Sequence, residues 1–182
     1  PPQGAPMAPD STPAQIEHSH ITDEARSHIG RTGPVRRFQV TARDICRFAM
    51  SIGDKNPLWR DEEYANQTSH RGVIAPPMFH CVIDLDEEDL DQLEESGLGK
   101  NMGLRMEVPV PGFPGAMATG RDIEFGEPIR AGDTISAQET LVDIYEKSGR
   151  RGPLVFVVSE KVYTNQRGEF VLKERKGLIR HQ

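Results

Sequence analysis

The run Gly72-Val73-Ile74-Ala75-Pro76-Pro77-Met78-Phe79-His80-Cys81-Val82-Ile83-Asp84-Leu85 decides the fold. Pro76 and Pro77 suit the first positions of a helix, where missing amide donors cost nothing. Residues 78–85 are apolar apart from His80 and Asp84, which predicts a helix buried nearly all round. Downstream, residues 118–125, 134–145, 154–164 and 169–180 read as strands, and their joints at Ser148-Gly149 and 165–168 carry turn chemistry. One buried helix followed by long alternating strands predicts an α+β fold, an antiparallel sheet curled around a central helix.

Upstream, residues 37–41 alternate and predict a strand, after which Thr41 and Asp44 form a capping-box-like start for a helix ending at Gly53. Ile45, Phe48, Ala49 and Ile52 are its expected buried stripe. Asp54 then falls just past a helix end, on a loop stiffened by Pro57, a placement typical of functional side chains on rigid supports. Residues 61–66 predict a short helical turn, and Thr22 with Asp23 and Glu24 predicts a short helix that stops at Gly30 and precedes the domain proper.

The chain of 182 residues suits one domain over 21–182, behind a Pro- and Ala-rich flexible leader over 1–20 and with an insertion at about 86–114 read as a lid. Its net charge of −6 argues against nucleic acid or an anionic membrane as main partner. Eight carboxylates between Asp84 and Glu95 account for the acidic excess and predict a solvated face. Only Cys46 and Cys81 carry thiols, which points to a reducing, cytoplasmic setting without a disulfide framework. No apolar run reaches the ~20 residues that span a bilayer. His18, His20 and His28 lack the companion ligands of a metal site and read as solvated.

The loop Gly53-Asp54-Lys55-Asn56-Pro57-Leu58-Trp59 resembles the Gly-Asp-x-Asn-Pro-Leu-His loop of the MaoC-like (R)-specific enoyl-CoA hydratases and 3-hydroxyacyl-thioester dehydratases. By its residues alone the loop is equally a helix stop followed by a turn. Val40-Thr41-Ala42-Arg43-Asp44-Ile45, Gly72-Val73-Ile74-Ala75-Pro76-Pro77 and Glu124-Phe125-Gly126-Glu127-Pro128-Ile129-Arg130-Ala131-Gly132-Asp133 extend the similarity. It implies a hot-dog fold and, in particular, the N-terminal, dehydratase-like half of tandem or paired hydratases. An aromatic residue commonly replaces the His there, and the Asp/His pair sits in the other half or in a partner.

Hydration of a conjugated thioester needs a base for the water and an acid for the α carbon, and an indole N–H is neither. The resemblance implies a catalytic role for Asp54, with Asn56 holding the loop, and leaves His80 as the nearby stand-in for the lost acid. It further implies that the amide of Gly72, at the start of the central helix, faces the thioester oxygen. Trp59, Tyr64, Val73 and Met78 are expected to line the acyl pocket or an interface, ordinary core packing being the competing reading. Arg150-Arg151-Gly152 reads as a basic turn that meets a coenzyme A phosphate or simply solvent.

The implied substrate is an acyl thioester of coenzyme A or acyl carrier protein, with no separate cofactor and no metal. The implied partner is a hot-dog subunit with an intact Asp/His loop, and otherwise a second copy of this chain. Three rivals remain open: a self-sufficient homodimeric hydratase using Asp54, a non-catalytic acyl-thioester-binding protein, and a thioester hydrolase.

Overall fold

The computed structural model describes residues 19–84, 95 and 108–182; residues 1–18 of the expected leader, His18 among them, and most of the 86–114 insertion fall outside that set. Five strands form one antiparallel sheet: β1 (Arg36–Gln39), β2 (Gly115–Phe125), β3 (Thr134–Gly149), β4 (Gly152–Thr164) and β5 (Phe170–His181), in the spatial order β1-β3-β4-β5-β2. Among the described residues four α-helices accompany them: α1 (Asp23–Ser27), α2 (Ala42–Ser51), α3 (Glu62–Asn66) and α4 (His80–Asp84). This is the expected α+β arrangement. The strands run longer than the sequence suggests at the β3–β4 hairpin, because Gly149 pairs with Gly152 and leaves Arg150 and Arg151 as a two-residue turn.

Alternation decides which face of the sheet is buried. On β3 the inward positions are Ile135, Ala137, Glu139 and Leu141; on β4 they are Tyr163, Lys161, Ser159, Val157 and Val155. The first core packs α2, the segment from Ile74 to Ile83 and Trp59 against Ile135, Ala137, Tyr163 and Leu172. A second core joins Leu141, Ile144, Val155 and Val157 to Ile21, Ala25, Val108, Val110 and Phe113. Helix α1 therefore belongs to the domain core instead of merely preceding it. The described end of the expected insertion, 108–113, is likewise core wall, since Val108, Val110 and Phe113 are buried.

Helix α2 begins as expected. The Asp44 N–H donates to Thr41 Oγ1 and the Thr41 N–H donates to Asp44 Oδ2, both at 3.1 Å, closing a capping box. Its stripe is narrower than expected: Ile45 and Ala49 are buried and Phe48 half-buried, but Ile52 is 55% exposed because the helix ends at Ser51 and turns it outward. The central helix starts with a 3-10 turn, Pro77–Phe79, before α4. Among the described residues no helix is long and apolar enough to cross a membrane.

Candidate active site

Asp54 is positioned by the way α2 stops. Gly53 adopts φ +70°, a left-handed conformation that glycine accepts without a Cβ penalty. The Gly53 N–H donates to the Met50 carbonyl and the Asp54 N–H to the Ala49 carbonyl, the two bonds of a Schellman motif. The chain leaves the helix with Asp54 facing the following 3-10 turn, Pro57–Trp59, whose N-cap is Asn56 through Leu58 N–H donating to Asn56 Oδ1 at 3.0 Å. Asn56 thus stiffens the loop through its side chain, and its own N–H donates to Asp54 Oδ1 at 2.9 Å.

The other carboxylate oxygen faces the residue that departs from the family pattern. Trp59 Nε1 donates to Asp54 Oδ2 at 2.8 Å, so both oxygens of Asp54 already accept a hydrogen bond within the loop. The Asn56 amide first, and the Trp59 indole second, hold the Asp54 carboxyl below its ordinary range. A carboxylate stabilised as the anion is a weaker base toward water. Trp59 itself is 8% exposed and forms part of the first core, so its ring is a wall and its N–H a fixed donor.

The start of the central helix differs from expectation in a second way. Gly72 lies five residues ahead of the Pro77–Phe79 turn, and its N–H donates to the Ala65 carbonyl at 3.2 Å, so it is not an open donor at the helix terminus. The terminus itself is occupied by Pro76 and Pro77, which have no N–H, and the Phe79 N–H closes back on the Pro76 carbonyl. Helix starts stabilise a developing oxyanion through their free amides, and this one is poor in them. The reason is the same Pro-Pro pair that made the helix legible.

His80 is fully buried. Its Nδ1 stands 3.3 Å from the Pro77 carbonyl, which only accepts, so Nδ1 carries a proton and Nε2 faces Glu174 Oε1 at 3.6 Å and Cys81 Sγ at 3.9 Å. Its ring meets Tyr163 edge-on with centroids 5.7 Å apart. Burial pushes the His80 pKa down, but the interactions with Cys81 and Glu174 outweigh it and raise it to about 9. Glu174 behaves in the opposite sense: burial raises it, whereas His80, Lys176 and Arg121 bring it down to about 2. Arg121 Nη1 completes the group, donating to Glu174 Oε1 at 2.8 Å and to Cys81 Sγ at 3.6 Å. The Cys81 thiol is lowered chiefly by His80.

The two expected catalytic residues therefore fall in separate groups, Asp54 with the expected Asn56 and Trp59, and His80 with Glu174, Arg121 and Cys81, which the sequence did not point to; among the described residues no hydrogen bond or ion pair links the two groups. Val73 is half-buried against the first core. Tyr64 and Met78 are 47% and 40% exposed, so neither packs in the interior of this chain. Arg150 and Arg151 are exposed at the hairpin tip. His20 is not simply solvated: its Nδ1 lies 2.7 Å from Glu146 Oε1 and its ring packs edge-on against Phe113. The residues that sequence reasoning missed are Glu139, Lys161, Glu174, Lys176 and Arg121; for the first four the signal was parity, since each shares the inward face of its strand with apolar residues such as Ala137, Tyr163 and Leu172.

The sheet, the buried central helix and the Gly-Asp-x-Asn-Pro loop define a hot-dog protein of the MaoC-like dehydratase class. The chain belongs to the family described as FAS1-like, dehydratase domain region, whose model matches residues 27–174. It is 31% identical over 156 residues to a probable enoyl-CoA hydratase alpha subunit of Thermomonospora curvata, a match that takes in 84% of this chain but only 49% of that protein. This chain thus spans about half the length of that relative. Among solved structures it is similar to the MaoC-like dehydratase from Rhodospirillum rubrum (TM-score 0.59, 24% identity, 85% of this chain and 92% of the other). It is also similar to a chain of the ChsH1-ChsH2 complex from Mycobacterium tuberculosis (TM-score 0.68, 20% identity, 87% and 95% covered).

Proposed function

We propose that this chain is the pocket-shaping subunit of an enoyl-CoA hydratase or 3-hydroxyacyl-thioester dehydratase, and that a partner hot-dog subunit supplies the working Asp/His pair. The observation that carries the reading is the bond from Trp59 Nε1 to Asp54 Oδ2, which puts a donor-only indole where the chemistry needs a titratable acid. A helix start built from Pro76 and Pro77 adds a second deficit, in oxyanion donors. The alpha-subunit name of the Thermomonospora curvata relative and the two-protein ChsH1-ChsH2 complex support a paired assembly. Met50 and Ile52, exposed immediately before the loop, suit an interface there. The substrate is an acyl thioester, its coenzyme A or carrier protein being part of that substrate, and the free thiols suit a reducing compartment.

The self-sufficient alternative asks His80 to serve Asp54, and the seclusion of His80 in a different group of partners does not favour it. Purified chain mixed with a short and a long enoyl-CoA separates the two by loss of the conjugated enoyl absorbance. Binding without turnover is expected of the chain alone. Turnover by the chain alone that Asp54→Asn abolishes would overturn the proposal, as would a mixed complex that keeps its activity after losing the partner's Asp/His pair.

A further inference from the structure

Cys81 is a nucleophile that the proposed function leaves unused. It follows His80 in α4 and is half-buried, and its thiol meets two basic groups, Arg121 Nη1 at 3.6 Å and His80 Nε2 at 3.9 Å. Cys46, also half-buried, faces an uncharged thioether instead, Met50 Sδ at 3.9 Å. The two thiols of the chain thus share a degree of exposure and differ in their electrostatic surroundings.

A break in the edge strand delivers the guanidinium. Between Ala118 and Arg121 the register of β2 against β5 shifts, so that three residue steps on β2 stand against the two from Leu178 to Lys176 on β5. Thr119 Oγ1 fills the break by accepting from the Gly177 N–H at 2.9 Å. One extra residue moves every later side chain to the opposite face, and bulges of this kind re-aim a side chain. Without it Arg121 would share the outward face of β2 with Met117. With it Arg121 turns inward, donates to Glu174 Oε1 at 2.8 Å and reaches the thiol. The Arg121 side chain remains 45% exposed, whereas those of His80 and Glu174 are fully buried, so the Cys81–Arg121 contact lies on the solvent side of the group.

The same atoms set the chemistry. His80 Nδ1 keeps its proton on the Pro77 carbonyl, so Nε2 is the position that can take the proton of the thiol. That transfer leaves a thiolate beside an imidazolium and a guanidinium. The thiolate, not the thiol, attacks electrophiles, and a partly exposed, electropositive setting is where reactive thiols occur.

We propose that Cys81 is an oxidation site for small hydroperoxides, converted to a sulfenic acid in the electropositive corner formed by Arg121 and His80. The step balances within the group. The sulfur attacks the terminal oxygen of ROOH, the O–O bond breaks, and RO⁻ departs with the electron pair and takes the proton held on His80 Nε2. Sulfur is oxidised by two electrons, and the peroxide is reduced to an alcohol, or to water where R is hydrogen. A small thiol then condenses with the sulfenic acid, releasing water and forming a disulfide that a second thiol reduces. The Cys81 thiol sits below its ordinary range, first through its hydrogen bond with His80, in agreement with this geometry. The inference goes beyond the acyl-thioester reading and does not depend on it.

The test exposes the reduced, purified chain to hydrogen peroxide at neutral pH for timed intervals, with dimedone present to trap sulfenic acid. Alkylation and mass spectrometry then read the free thiol left at each cysteine. Cys81 is expected to lose its thiol at least about tenfold faster than Cys46, the gain open to a thiol that is otherwise only a few per cent ionised, and to carry the dimedone adduct. In Arg121→Gln, which keeps a polar donor and removes the charge, the Cys81 rate is expected to fall at least about threefold while the Cys46 rate holds. Equal rates at the two cysteines of the wild type overturn the inference, as does faster loss at Cys46. A Cys81 rate unchanged by Arg121→Gln overturns it too. Should that variant not fold, the wild-type ratio decides by itself, because Cys46 is its internal reference.

Discussion

The Asp54–Trp59 loop and the charged belt across the inward face of the sheet, Glu139, Lys161, Glu174, Lys176 and Arg121, invert the usual relation between motif and chemistry. The loop carries the family's recognisable sequence, yet its carboxylate is held by two donors and its neighbour cannot exchange a proton near neutrality. The belt carries no motif, yet it holds a histidine raised to about 9 and a glutamate lowered to about 2 within 3.6 Å of each other. A recognisable loop therefore marks descent, whereas perturbed titration marks where the fold is under electrostatic constraint. The contrast is one of origin: the loop holds its carboxylate through local turn geometry, whereas the belt ties residues of four strands together.

The strongest way to break that contrast is to remove the belt's central anion. Glu174→Ala leaves Arg121, Lys176 and His80 without their shared carboxylate, and removal of one partner from a buried ion pair costs about 3–5 kcal/mol. Urea unfolding should show a loss of that size; a loss under about 1 kcal/mol would mean that the belt is solvated and loosely coupled. On the loop side, Trp59→His returns an imidazole beside Asp54. Turnover of an enoyl-CoA by the chain alone should rise on the order of 10²-fold above background, the lower end for a positioned acid–base group, because the Pro76-Pro77 helix start still offers few amides. A variant that binds but gains nothing would move the deficit from the loop to the helix start.

The belt should also govern how stability varies with pH. Glu174 is lowered from 4.5 to about 2, so its contribution is complete above 4.5 and is lost as the pH falls toward 2. His80 is raised from 6.5 to about 9, so its contribution is complete below 6.5 and is lost as the pH climbs through 9. Thermal melts should therefore plateau between about 4.5 and 6.5 and decline on both sides. In Glu174→Ala the alkaline decline should shrink, since His80 then keeps only Cys81 of the two groups that raise it. An unchanged alkaline limb would assign that limb to another group.

How much of this was legible follows from where each signal resides. The capping box at Thr41 and Asp44, the stop at Gly53 and the alternation of β3 to β5 are local, and local chemistry is written in neighbouring residues. The loop at Asp54 was legible for the same reason, down to Asn56 as its brace. The engagement of Trp59 by Asp54 needed the turn geometry, because the sequence shows a missing imidazole but not what the indole does in its place. The belt was hidden because its members come from four strands, Arg121 and Glu174 being 53 residues apart, and only the register brings them together. The Gly72 expectation failed because the segment's position along the chain says nothing of where its amide points.

The finest test of the comparison is Trp59→Phe, which keeps an aromatic wall in the first core and deletes only the donor to Asp54 Oδ2. The pKa of Asp54 should rise, as read from its carboxylate carbon by NMR. The rise should be partial, because the larger of the two lowering influences, the Asn56 N–H on Oδ1, is untouched. A group whose folded pKa is depressed loses its stabilisation as the pH falls, so the variant should also shed less stability on the acid side than the wild type does. Were the pKa of Asp54 unmoved, the indole would be a packing element alone, and the loop's difference from an active one would lie in the absent imidazole rather than in a carboxylate held by its neighbour. A full return to the ordinary carboxylate value would instead make Trp59 the main influence on Asp54 and reduce Asn56 to a turn former.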